Sequence, residues 1–70
     1  MAKLKWENIS WFYNETSGCG TEICFYDNTK YSEADAWFNN EAILAIYPSC
    51  NEPDDIDWCR KWLKEDGIIE

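Results

Sequence analysis

The sequence predicts a small α+β domain in which an N-terminal antiparallel hairpin and a third strand pack against two helices, in the order ββαβα. Three observations lead there. Two β-favouring runs flank a glycine-containing break, a serine-capped helical stretch follows them, and a second helix closes the chain with its charges sorted to match its dipole. Seventy residues make one domain, residues 1–70, and leave no room for another.

Lys3 to Asn14 reads as the first strand: Ile9, Trp11 and Tyr13 alternate with Asn8, Ser10 and Phe12. Glu15 to Gly20 contains two glycines and a Thr-Ser pair, the residue types a chain reversal needs. Thr21 to Tyr26 reads as the second strand, with Ile23 and Phe25 on one face and Cys24 and Tyr26 on the other. Ser32 is a helix N-cap whose hydroxyl is placed to accept the amide of Asp35, while Glu33 and Asp35 lie at the positive end of the dipole. Tyr31 is positioned to pack against Ala36. Ala34, Trp37 and Phe38 are assigned the inward face of this helix, which ends near Asn39 and Asn40.

Ala42 to Tyr47 is a continuous apolar run stopped by Pro48. Periodicity alone leaves it as either a buried strand or the tail of the preceding helix, and the paired asparagines before it favour a strand. In the last element Asn51 is the candidate cap and Pro53 occupies the first turn, where a missing N–H costs nothing. Asp54, Asp55 and Asp57 crowd its N-terminal end and Arg60, Lys61 and Lys64 the other, both matching the macrodipole. Ile56, Cys59, Trp62 and Leu63 form its apolar stripe, Gly67 stops it, and Ile68 and Ile69 fold back on its end.

Fourteen acids face six bases, with no histidine, for a net charge of −8. That charge repels nucleic acid and anionic membrane surfaces and favours basic ones. Solubility alone accounts for a net charge of this size about as well as a basic partner does. Glu7 and Asn8 interrupt any secretory signal at the N-terminus, and no window reaches the ~18 apolar residues of a membrane span, so a cytosolic location is expected.

Little in the chain points to catalysis. Histidine, the usual general acid–base group at neutral pH, is absent. The densest carboxylates are explained by the helix dipole, and Gly18-Cys19-Gly20 does not open a helix as a phosphate loop would. The four cysteines allow buried or free thiols, disulfides, or zinc held by Cys19, Cys24, Cys50 and Cys59. Four residues separate Cys19 from Cys24, but eight separate Cys50 from Cys59, wider than structural zinc pairs use. Buried or free thiols are therefore the expectation, and no cofactor is assigned. A redox or nucleophilic role for Cys19 or Cys24 lacks the basic neighbours that lower a thiol pKa, and Glu22 lies between them.

The rings are the other resource: five Trp, four Tyr and three Phe. Trp11, Phe25, Trp37, Phe38 and Trp62 are expected inside, whereas Trp6, Phe12, Tyr26 and Trp58 are harder to bury in the same arrangement. Rings interleaved with Glu7, Glu15, Glu22 and Asp27 do not make a nucleic-acid stacking platform. Surface Trp and Tyr are typical anchors of protein interfaces. The expected function is therefore a non-catalytic binding or inhibitor protein that engages a basic surface of a larger partner. Its binding residues are Asp54, Asp55, Asp57, Trp58, Glu22, Tyr26 and Trp6. A compact, acidic, histidine-free chain resembles in profile the virus- or plasmid-encoded inhibitors of nucleases and CRISPR effectors. That resemblance implies carboxylates standing where phosphates normally lie, on a partner that handles nucleic acid. The alternative is a zinc-stabilised module serving as a subunit or regulator of a larger assembly.

Overall fold

The computed structural model describes residues 3–16, 20–49 and 53–70, with the backbone alone at Thr16. The predicted reversal at Ser17 to Cys19 and the Asn51 cap lie outside the described residues. A 3-10 turn at Trp6–Asn8 leads into β1 (Ile9–Thr16), followed by β2 (Gly20–Asp27), α1 (Glu33–Phe38), a second 3-10 turn (Asn40–Ala42), β3 (Ile43–Pro48) and α2 (Asp55–Glu65). The three strands form one antiparallel sheet with β2 in the centre. The first strand begins later than the alternation suggests, because Trp6 to Asn8 coil into a turn.

Alternation along the strands builds two separate cores. Ile9, Trp11, Ile23, Phe25, Ala45 and Tyr47 point to one face, where Ile56, Cys59, Trp62 and Leu63 of α2 cover them together with Ile69. Phe12, Cys24 and Tyr26 point to the other face and are covered by Ala36 of α1, Ala42 and Tyr31. The central strand is therefore buried on both faces. Between Phe25 and Tyr26 the pairing with β3 shifts by one residue, leaving Leu44 as a bulge and turning Ile43 to the α1 side.

Local signals place the helices. Ser32 Oγ accepts from Asp35 N–H at 3.2 Å and the Asp35 carboxylate accepts from Ser32 N–H, a reciprocal capping box. Asp27 closes β2: its carboxylate accepts from the Thr29 amide at 2.9 Å and hydroxyl at 2.6 Å. These bonds, the hydroxyl first, hold its carboxyl below the usual carboxylate range. At the far end of α2, Ile68 N–H donates to Leu63 C=O at 2.9 Å and Gly67 N–H to Lys64 C=O at 3.1 Å. This is a Schellman motif, with Gly67 at φ +77°. It turns the chain so that Ile69 enters the core and bridges Leu4 in parallel. Leu4 N–H donates to Ile68 C=O and Glu70 N–H to Leu4 C=O, both at 3.0 Å.

A Cβ at Gly67 would meet nothing within 4 Å, so only the left-handed backbone opposes a side chain there. Gly67→Ala is expected to cost about 1–2 kcal/mol, lowering the melting temperature by about 4–8 °C per kcal/mol in a domain of this size. Thermal denaturation followed by circular dichroism checks it, and an unchanged midpoint would show that the turn does not need the glycine.

Two groups of rings depart from the sequence expectation. Phe12 and Tyr26 are buried, because α1 and the second 3-10 turn provide a core on the second face of the sheet. Phe38 and Trp37 are not inside: Phe38 is 92% exposed and Trp37 49%. Only Ala36 of the six-residue α1 is buried. A small residue lets so short a helix approach the sheet, and Phe38, two positions on, points about 200° away around the helix.

Candidate functional site

The residues proposed for partner binding divide into three groups. Asp54, Asp57 and Trp58 come together at the start of α2, where with Lys61 they line a shallow depression of about 310 Å³. Trp58 is 52% exposed. The ammonium of Lys61, one helical turn on from Asp57, lies over the Trp58 ring at 4.9 Å from its centroid. Asp54 caps α2 without a side-chain hydrogen bond to its amides, and its carbonyl accepts from Trp58 N–H at 3.0 Å.

Asp55 belongs to the fold instead. It is buried, and its carboxylate accepts from Ser49 Oγ at 2.7 Å, tying the end of β3 to the first turn of α2. Tyr26 is likewise buried, against Phe12. Trp6 is a structural ring: it stacks on Trp11 at 5.5 Å between centroids, and the Arg60 guanidinium covers it at 5.2 Å. The stem and head of Arg60 thus shield apolar surface from α2. Burial thus withdraws Asp55 and Tyr26 from the surface, whereas Trp6 stays half-buried against Trp11 and Arg60.

Glu22 sits apart from the α2 cluster. It faces the α1 side of the sheet, in the row Asn14–Glu22–Pro48 next to Phe12–Cys24–Ile46. Burial pushes the Cys24 thiol up, and the Glu22 charge adds to that shift. Such a thiol is poorly suited to nucleophilic or redox work at neutral pH. Cys24 and Cys59 lie in different cores on opposite faces of the sheet, so one ion cannot take both. Cys19 and Cys50 are outside the described residues, among which no cluster of three or more metal-ligating side chains occurs.

A second concavity, of about 560 Å³, opens where Leu4 and Ile68 face Tyr31 and Leu44. Of the three carboxylates that line it, Asp27 is engaged by Thr29 and Asp66 by the hydroxyl of Tyr47, while Glu41 is exposed. Burial, and after it the bond to Asp66, keep the Tyr47 phenol protonated well above its usual range. Asp27 and Asp66 thus serve as structural acceptors at the edges of the fold.

Aromatic surface was recognisable in the sequence, but its location was misjudged at Phe38 and Trp37. The usable signal lay in the run Ile23-Cys24-Phe25-Tyr26. A continuous apolar stretch marks a strand buried on both faces, and so requires a second cover. No helix among the described residues is long and apolar enough to cross a membrane. Comparison with protein-family models, curated proteins and solved structures finds no match.

Proposed function

We propose that this protein is a non-catalytic binding module that engages a basic surface of a larger partner through the start of α2. The observation that carries the reading is a half-exposed tryptophan, Trp58, that shares a shallow depression with two exposed carboxylates, Asp54 and Asp57, and with Lys61. An aromatic anchor beside acidic groups suits a partner whose apolar notch is bordered by Lys or Arg. The net charge of −8 adds long-range attraction to such a partner. Within this reading, inhibition of a nucleic-acid-handling enzyme, a nuclease or a CRISPR effector, is the finer proposal. There Asp54 and Asp57 occupy positions otherwise filled by phosphates.

The test begins with affinity capture from the native host to identify the partner, followed by kinetic binding measurements across a salt series. Asp54→Lys combined with Asp57→Lys is expected to slow association about tenfold or more at low salt. The loss should shrink as salt rises, because exposed charges are screened beyond about 8 Å at physiological ionic strength. Circular dichroism on the same variant separates lost binding from a helix weakened by lost dipole pairing. A folded variant with unchanged association rate and salt slope would remove α2 as the binding face.

A further inference from the structure

The bases of this chain are distributed unevenly in space. Lys3 and Lys5 flank Leu4, which is tied to Ile69 behind α2, and Arg60, Lys61 and Lys64 lie on α2 itself. Lys30, in the turn after β2, is the last base before Arg60. The segment between them, which builds α1, the second 3-10 turn and β3, carries Glu33, Asp35 and Glu41 and no base before α2 begins. On the α1 side of the sheet acids therefore outnumber bases, with Lys30 beside Tyr31, Glu41 and Ala42 at one edge.

That same side holds three of the exposed large apolar groups, Trp37, Phe38 and Ile46. Trp37 is stacked on Phe12 with centroids 4.5 Å apart, so its ring is fixed in place although half of it meets solvent. Phe12, Cys24 and Ile46 form one row across the sheet, which sets Ile46, 52% exposed, about 10 Å from Phe12 at the usual strand spacing. Phe38 follows Trp37 and is almost wholly in water. Glu22 lies in the next row. A ring held by stacking beside a freely exposed one, with acids predominating around them, has the anatomy of an interface: apolar centre, charged rim.

We propose that the sheet face opposite α2 is a second docking surface, with Phe38 as anchor, whose occupant is a partner protein presenting an apolar pocket rimmed by Lys and Arg. Charge decides the occupant. A second copy docking symmetrically would set Glu22, Glu33, Asp35 and Glu41 against themselves, which like-charge repulsion opposes. A base-rimmed pocket meets both the rings and the acids. This surface is separate from the Asp54–Asp57–Trp58 cluster, so the domain has a docking surface on each face of its sheet.

The probe is a synthetic 14-residue amphipathic helical peptide of leucine and lysine, with a leucine–glutamate peptide of equal length as control. Titration into the isotope-labelled full chain is followed by NMR at the Trp37 indole, assigned with Trp37→Phe, and at the Ile46 amide. Saturable shifts of both signals with the lysine peptide, weaker in 1 M salt and absent with the glutamate peptide, are expected. Phe38→Ser should weaken binding about tenfold or more, and it leaves the fold intact because that ring packs on nothing. Asp54→Lys with Asp57→Lys should leave the Trp37 shift in place, so failure of the α2 site and failure of this surface are distinguishable. The proposal is overturned by equal shifts with both peptides, by shifts confined to Trp58, or by no shift at Trp37 at millimolar peptide. Concentration-dependent self-association abolished by Ile46→Ser would also overturn it, since the face would then serve a second copy.

Discussion

Phe25→Ala is expected to leave the domain largely unfolded at 25 °C. Phe25 is fully buried at the centre of the sheet, and its ring contacts those of Trp6, Trp11 and Tyr47 at centroid distances of 6.5, 6.0 and 5.9 Å. Truncating a buried phenylalanine costs about 3–5 kcal/mol, from lost transfer energy and the cavity left behind. A core in a chain of this length rarely supplies more than about 3–5 kcal/mol of net stability. The two magnitudes are comparable, so one substitution consumes the margin. Far-ultraviolet circular dichroism and the dispersion of the proton NMR spectrum read the outcome. Phe25→Leu, which keeps most of the volume, should remain folded at a lower melting temperature. A cooperative transition in the alanine variant within a few degrees of the parent would mean that the ring network is not the centre of stability.

Ile69→Ala is expected to cost about 2–5 kcal/mol and to loosen both termini together. Ile69 is buried although it lies beyond the last helix, because the Schellman turn at Gly67 folds it back over Leu63. Its backbone pairs with Leu4, so the first and last described segments hold each other. The diagnostic is hydrogen exchange: the amides of Leu4 and Glu70, which donate across the bridge, should lose protection beyond what global destabilisation explains. Retained protection at both amides with an unchanged melting temperature would show that the bridge does not depend on the Ile69 side chain. The Trp6 layer begins two residues after Leu4, and its packing against Trp11 and Arg60 is expected to weaken in the same variant.

Much of the architecture was legible in the residues because local rules and packing agree. Ile9, Trp11, Ile23 and Phe25 alternate as strand residues facing one core must, and all four pack in it. The Ser32 cap, the strand at Ile43–Pro48, the α2 stripe of Ile56, Cys59, Trp62 and Leu63, and the Gly67 stop follow from chemistry confined to a few neighbouring residues. The start of α2 was less legible. The first turn reads as three similar aspartates, yet Asp55 is withdrawn from solvent by Ser49, a partner on another element. The inward assignments of Trp37 and Phe38 failed for a similar reason: Ala36, not the larger rings beside it, meets the sheet.

The amino-acid order alone determined the hairpin, the two helices and the excess of negative charge, since these depend on side-chain identity and spacing along the chain. It left Ala42 to Tyr47 between strand and helix tail, with the strand favoured. Which carboxylates and rings reach solvent was decided only by the tertiary structure. The sheet has two faces, and the choice of cover for each is made by contacts between residues far apart in sequence. α2 and Ile69 seal one face with a long apolar stripe. The short α1 seals the other only around Ala36, leaving Phe38, half of Trp37 and half of Ile46 in water beside acids that no lysine or arginine on that segment neutralises.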